Sequence, residues 1–74
     1  MNRIALVKLR EERELSQSEL ARRSGLSQGH ITDLESGRIK SPGIDTLAAL
    51  AKGLGMQLSD FMERVNLHPA EVAA

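Results

Sequence analysis

The sequence contains no cysteine, tryptophan or tyrosine, and Phe61 is its single aromatic residue. Without cysteine the chain can form neither a disulfide nor a thiolate metal site. Two separated histidines do not make a metal site either, so we expect no metal and no cofactor. With so few aromatics, the core has to be built from Leu, Ile, Val, Ala and Met, which dominate the 41% hydrophobic content. This composition favours a small helical bundle.

Long apolar runs are also absent, and charged residues begin at Arg3. The absence of long apolar runs excludes a membrane-spanning helix, and charges so close to the N-terminus are unlike a secretory signal peptide. We therefore expect a cytoplasmic protein with no membrane partner. A length of 74 residues leaves room for one domain and for no separate ligand-sensing domain, so no small-molecule ligand is expected.

The sequence has no excess of positive or negative charge, since its net charge is zero and its pI is about 6.7. This balance does not by itself indicate a nucleic-acid-binding protein. The charges are unevenly distributed, however. Residues 1–40 carry eight basic and six acidic side chains, a net of +2, whereas residues 41–74 carry two basic and four acidic ones, a net of −2. Any attraction for a polyanion should therefore come from the first half of the chain.

The segment from Ser16 to Gly37 predicts two short helices joined by a tight turn. Ser16 and Ser27 are favourable N-cap residues, and Glu19 completes a capping box with Ser16. Gly25 and Gly37 are suited to the left-handed conformation that ends a helix. Apolar residues occur only where the two helices would touch, and this pattern is typical of a helix-turn-helix.

The second helix of this segment has one apolar and one polar face. Ile31 and Leu34 point inward at a spacing of three residues. The opposite face is left free for a partner and consists of Gln28, Gly29, His30, Thr32, Asp33 and Ser36.

Three more helices are predicted from apolar periodicity. The first covers residues 2–13, with Leu6 and Leu9 inward and Ile4 or Val7 beside them, and we expect strain of about 1 kcal/mol at Glu14, where glycine or asparagine would end a helix better. The fourth should run from Ile44 or Asp45 to Gly53, with inward Ile44, Leu47, Leu50, Ala51 and Leu54. The fifth covers about 58–65, with a stripe of Leu58, Phe61, Met62 and Val65. Residues 67–74 should form a flexible tail after a domain of residues 1–66.

Spaced elements of the sequence resemble the lambda-repressor-like helix-turn-helix family, also called the XRE or Cro/C1 type. The matching elements are L-R at 9–10, L-S-Q-x-E-L-A at 15–21, G-L-S-Q at 25–28, I-x-x-L-E-x-G at 31–37 and D-T-L-x-x-L-A-x-x-L at 45–54. The resemblance extends over about residues 3–64. It implies an all-α, five-helix domain whose second and third helices bind duplex DNA, usually as a two-fold dimer.

The resemblance also implies roles for individual residues. The helix Gln28–Ser36 matches the recognition helix, which enters the major groove, and its base-contacting positions are Gln28, Gly29, His30, Thr32 and Asp33. Gln28 matches an adenine reader, and Gln17 matches a residue that touches phosphate and braces Gln28. Further phosphate contacts are implied for Ser27, Ser36, Arg38 and Lys40. Arg10 matches a partner of Glu35 in a partly buried ion pair, with a phosphate contact as a secondary possibility.

Two positions depart from the phage-repressor pattern. Gly29 has no side chain to contact a base, and Asp33 places a carboxylate on the DNA-facing side, so the operator of a relative does not transfer. The dimer interface is expected at Gln57, Leu58, Met62 and Val65, although Met62 and Val65 are equally suited to a core position.

The prediction is a transcriptional repressor that binds a two-fold symmetric operator as a homodimer. One alternative is an antitoxin-type autoregulator that holds a toxin or another protein partner. Another is a protein-interaction module without DNA binding, which zero net charge, Gly29 and Asp33 would favour. Ser27, His30 and Asp33 lie close in sequence, but Ser27 is explained as a helix cap and no oxyanion site is indicated. No enzymatic activity is therefore expected.

Overall fold

A computed structural model describes residues 1–67, and most of the predicted tail, residues 68–74, lies outside the described residues. Within residues 1–67 there are five helices and no strand. They are α1 (Arg3–Glu12), α2 (Gln17–Ser24), α3 (Gln28–Ser36), α4 (Ile44–Leu54) and α5 (Leu58–Arg64). The predicted all-α, five-helix architecture is confirmed.

Helices α2 and α3 begin and end at the predicted caps. Ser16 Oγ accepts a hydrogen bond from the Glu19 amide at 3.1 Å, and Glu19 Oε1 accepts one from the Ser16 amide at 3.0 Å. Gly25 and Gly37 end the two helices with φ of 78° and 84°, values that favour glycine. Local chemistry therefore fixes both ends of the helix-turn-helix.

The capping box should make stability depend on pH. The hydrogen bond from the Ser16 amide lowers the pKa of Glu19 below its ordinary value. A carboxyl with a lowered folded-state pKa contributes stability above its unfolded-state pKa and loses it as the pH falls through the folded-state value. Between pH 7 and about pH 3, the melting temperature of the Glu19→Gln variant should fall by less than that of the wild type. Parallel pH profiles of the two proteins would contradict this.

The core lies between all five helices and is almost entirely aliphatic. Nine side chains are essentially fully buried, namely Leu6, Leu9, Leu20, Ile31, Leu34, Leu47, Leu50, Phe61 and Val65. Leu67 still packs against this core, one residue beyond the predicted domain boundary, and its amide donates to the Met62 carbonyl at 2.8 Å. At the other end of the chain, the Asn2 amide donates to the Val65 carbonyl at 2.9 Å.

One apolar residue expected to point inward, Ile44, is exposed, and so is Ile4, one of the two alternatives beside the inward face of α1, whereas the other alternative, Val7, is half-buried. Ile44 is 41% exposed and Ile4 is 59% exposed. Helical side chains point back toward the helix N-terminus, so Ile44, the first residue of α4, projects past the end of its own helix. The prediction that Ile44 points inward is wrong for this reason.

The fourth helix is found within one residue of its predicted end, since it continues to Leu54 and Gly55 forms the left-handed cap. Gly53 is buried against α2. A β-carbon at this position would lie 3.0 Å from both Leu20 Cδ1 and Ser24 Cβ, and 3.1 Å from the Ser24 backbone nitrogen. Gly53 therefore allows α4 to approach the backbone of α2 and support the helix-turn-helix from behind.

The Gly53→Ala variant should unfold more easily than the wild type, by about 1 kcal/mol. Alanine favours a helix over glycine by about 1 kcal/mol, but crowding a packed interface costs about 1–3 kcal/mol. Gly29→Ala is the matched control, since no atom lies within 4 Å of a β-carbon there. It should be neutral or slightly stabilising in the same urea titration. A stabilised Gly53→Ala variant would show that α2 can move aside at no cost.

The corner between α1 and α2 carries the expected strain and a contact that the sequence did not indicate. Glu14 has φ of 54°, the left-handed region that disfavours a side chain. The neighbouring Arg13 donates from Nε to the Leu54 carbonyl at 2.7 Å and from Nη1 to the Leu9 carbonyl at 3.1 Å. One guanidinium thus satisfies a free carbonyl at the end of α4 and joins it to α1.

Candidate nucleic-acid interface

The outer face of α3 carries the residues predicted to contact bases. Gln28, Gly29 and Thr32 are exposed, while His30 and Asp33 are half-buried. Gln28 and Thr32 are four residues apart and therefore share one side of the helix. Ser27 Oγ accepts from the His30 amide at 3.1 Å, so this hydroxyl caps α3, and Ser36 Oγ donates to the Asp33 carbonyl at 3.2 Å.

Beneath this face, α3 is attached to α1 by an ion pair. Arg10 donates to Glu35 from Nε at 2.6 Å and from Nη2 at 3.0 Å, and its Nη1 donates to the Leu15 carbonyl at 2.8 Å. Only 14% of the Arg10 side chain and 6% of the Glu35 side chain are exposed. The hydrogen bonds to Glu35 raise the pKa of Arg10 above its ordinary value.

The predicted Arg10–Glu35 ion pair is confirmed. All three guanidinium nitrogens of Arg10 donate to other residues of the same chain. These bonds use three of the five N–H groups of Arg10, so the structure assigns it the structural role that was expected first. The phosphate contact, its secondary possibility, stays a prediction.

Gln17 lies at the start of α2 but does not brace Gln28 as predicted. Its Nε2 donates to Glu35 Oε1 at 3.0 Å, and its Oε1 accepts from Thr32 Oγ1 at 3.0 Å. Both ends of the amide are therefore engaged, and the side chain that Gln17 positions is Thr32. The capping motif located Gln17 at the helix start, but its partners follow from the packing of α2 on α3.

A group of three cations lies at the C-terminal end of α3, consisting of Arg3, Arg38 and Lys40; we call it the cationic cluster. Arg38 and Lys40 are exposed, and Arg38 Nε is 3.9 Å from Asp33 Oδ1. Arg3 and Lys40 line one hollow, where Arg3 Nη1 donates to the Glu35 carbonyl at 3.4 Å. Arg38 and Lys40 were predicted from the sequence, whereas Arg3 was missed because it reaches α3 from the start of α1.

The four residues predicted for the dimer interface divide into two groups. Gln57 is exposed and Leu58 is half-buried, so both have surface available. Val65 is fully buried within the single chain and Met62 is only 6% exposed. Both are core residues, because α5 points its apolar stripe at the other helices. The structure thus places both at the core position that the sequence offered as the alternative to the dimer interface.

Neither a metal centre nor a transmembrane segment is found in the part of the chain that the structure describes. Within residues 1–67, His, Asp and Glu side chains do not gather in any group of three or more that could hold a metal ion. No helix in the same range is both long and apolar enough to cross a membrane.

Comparison with known proteins supports the helix-turn-helix arrangement of α2 and α3. A family model described as helix-turn-helix matches residues 6–61. The immunity repressor protein of Bacillus phage phi105 is 37% identical over 65 residues, which cover 88% of this chain and 44% of that protein. The HTH-type transcriptional regulator DdrOP3 of Deinococcus deserti is 34% identical over 68 residues, which cover 92% of this chain and 52% of that protein. The chain thus spans about half the length of these curated relatives.

A solved structure shows the same fold. The clp gene regulator ClgR from C. glutamicum superposes with a TM-score of 0.73 at 30% identity, covering 86% of this chain and 82% of that one. The resemblance predicted from the sequence is confirmed: the chain belongs to the lambda-repressor-like, XRE-type helix-turn-helix family.

Proposed function

We propose that this chain is a sequence-specific, duplex-DNA-binding transcriptional regulator that represses by occupying its operator. The observation that carries the proposal is the exposed polar face of α3, which is fixed from below by the buried Arg10–Glu35 pair. A rigid helix with free polar side chains is what readout in the major groove requires. A DNA target would place the protein in the cytoplasm of a cell without a nucleus.

Base readout would begin at Gln28, the first residue of α3. Its exposed amide can pair with N6 and N7 of adenine through two hydrogen bonds. The cationic cluster would neutralise phosphates at the other end of the helix, and that contact sets affinity without reading sequence. Zero net charge does not oppose this arrangement, since local charges dominate contacts that are within a Debye length, about 8–10 Å.

A homodimer would present two copies of α3 to successive major grooves, about 34 Å apart. We propose that the interface forms around Gln57 and Leu58, where α4 meets α5. Met56 beside them is half-buried, and together with Gln57 it lines an open groove between Arg13 and Arg64. A two-fold interface pairs the same patch on both copies, so the operator should be a palindrome.

The Gln28→Ala variant should lose about 1–3 kcal/mol of operator affinity and relax the sequence preference at one base pair in each half-site. The reason is that alanine leaves the adenine edge without its two partners. Fluorescence anisotropy with the operator and its single-base variants measures both effects. Unchanged affinity and preference would remove Gln28 from the base-reading residues.

The Lys40→Ala variant should weaken binding to all sequences about equally and reduce the salt slope by about one for each protomer. Lys52→Ala, at an exposed lysine of α4 outside the cationic cluster, is the matched control. It should leave the slope unchanged. A changed base preference in Lys40→Ala would mean that this lysine contacts bases rather than phosphates.

The proposed function is tested most directly by selecting bound sequences from a random duplex library at about 0.15 M salt. A symmetric motif with half-sites about one helical turn apart is the expected result. An asymmetric motif would retain DNA binding and overturn the homodimer. Absence of any enriched sequence would overturn the regulator and favour a protein-interaction module.

A further inference from the structure

A continuous chain of polar side chains runs from the domain interior to the outer face of α3. It starts at Arg10, passes through the buried carboxylate of Glu35 and the half-buried amide of Gln17, and ends at the exposed hydroxyl of Thr32. Each link is a side-chain hydrogen bond of 3.0 Å. The three helices that contribute to it are α1, α2 and α3.

The chemistry of these groups allows a single direction of donation. Both oxygens of the Glu35 carboxylate accept from Arg10, so Gln17 has to turn its NH2 group toward this acceptor. The carbonyl oxygen of Gln17 then faces Thr32, and a carbonyl can only accept as well. The Thr32 hydroxyl therefore has to donate its one hydrogen to Gln17. What remains available at Thr32 is a pair of acceptor lone pairs.

We propose that Gln17 is a positioning residue that makes Thr32 select a base with an exocyclic amino group. The major-groove edges of adenine and cytosine carry amino donors, N6 and N4, whereas guanine and thymine carry the acceptors O6 and O4 at the same position. A hydroxyl that can only accept a hydrogen bond pairs with the amino group of adenine or cytosine. It is repelled by the oxygen acceptors of guanine and thymine. This inference rests on the proposed DNA-binding function and adds a specificity determinant to it.

The Thr32 hydroxyl is tested by the Thr32→Val variant, which exchanges it for a methyl group of similar size at an exposed position. Selection with the wild type and with this variant identifies the operator position that Thr32 reads. At that position the adenine is then replaced by purine, or the cytosine by pyrimidin-2-one, so that only the amino group is lost. The wild type should bind the modified duplex about tenfold more weakly, and Thr32→Val should bind both duplexes within about twofold.

Gln17 is tested by the Gln17→Met variant, which keeps a similar volume without polar ends. The Thr32 hydroxyl is then free to donate, so guanine or thymine should be accepted at the same position and the preference should fall from about tenfold to about twofold. In the Thr32→Val background, Gln17→Met should change no base preference. A purely structural role of Gln17 would instead weaken binding to all sequences alike.

Three results would overturn the inference. A thymine preference at the Thr32 position that survives in Thr32→Val would mean that a methyl group is read rather than the hydroxyl. An undiminished preference in a folded Gln17→Met variant, checked by thermal unfolding, would remove Gln17 from the mechanism. Equal binding of the wild type to the unmodified and amino-deleted duplexes would remove the Thr32 hydroxyl as an acceptor, and this result does not depend on whether Gln17→Met folds. Failure of the proposed function differs from all of these, since the wild type itself would then enrich no sequence.

Discussion

The Glu35→Ala variant is expected to lose about 3–5 kcal/mol of its free energy of unfolding, because it leaves the Arg10 guanidinium in a largely enclosed site without a counter-charge. The Arg10 side chain is 14% exposed, so water restores only part of its solvation. Gln17 would also lose the acceptor of its Nε2. For a domain near the lower end of the usual range of about 5–15 kcal/mol, this loss would remove most of the stability. Urea titration followed by circular dichroism at 222 nm measures the loss.

The control is the double variant Arg10→Met/Glu35→Leu, in which both charges are replaced by apolar side chains. Exchanging a whole buried pair is often neutral or stabilising, so most of the lost stability should return. The comparison separates the penalty for an unpaired charge from the net contribution of the pair. If Glu35→Ala were destabilised by less than about 1 kcal/mol, the pair would behave as an ordinary surface ion pair.

The Phe61→Ala variant should lose a similar amount, about 3–5 kcal/mol, for a different reason. Phe61 is the single aromatic residue of the chain and is fully buried. Aliphatic neighbours from the other helices cannot move far enough to fill the space, so the loss combines the transfer of a large side chain with a cavity. Thermal and urea unfolding both measure this effect.

Ile44→Ala is the matched control for Phe61→Ala, since it also removes apolar atoms but at a position that is 41% exposed. Its effect should stay within about 0.5 kcal/mol of zero, as for most surface substitutions. Phe61→Leu should lie between the two variants, because leucine retains part of the buried volume. A Phe61→Ala protein with unchanged stability would mean that the core rearranges around the deletion.

The features that the sequence predicted correctly depend on contacts between residues close together in the chain. Ser16 and Glu19 form the capping box over a separation of three residues, and Gly25 and Gly37 adopt the left-handed conformation at helix ends. Ser27 begins the third helix for the same local reason. Each outcome follows from the geometry of one helical turn, so no knowledge of the tertiary structure was needed.

Contacts between distant residues were the main source of error. Gln17 and Thr32 are 15 residues apart, and the Arg13 bond to Leu54 spans 41 residues. Both depend on where two helices cross, which a periodic pattern does not contain. The Arg10–Glu35 pair was predicted through the family resemblance and not from the residues themselves.

Apolar periodicity also failed to predict which residues on the apolar side of a helix are covered by another helix. It assigned Ile44 and Val65 to the apolar sides of their helices, but it does not say what lies opposite each side. Ile44 is left exposed at the start of α4, whereas Val65 is enclosed at the end of α5. Gly53 looked like a helix terminator because its packing against α2 is invisible in the sequence.

The hydrogen bond from the Asn2 amide to the Val65 carbonyl places the start of α1 beside the end of α5. A polypeptide that enters this fold therefore leaves it at nearly the same point. The domain can be inserted into a surface loop of a host protein through two short linkers without forcing the host strands apart.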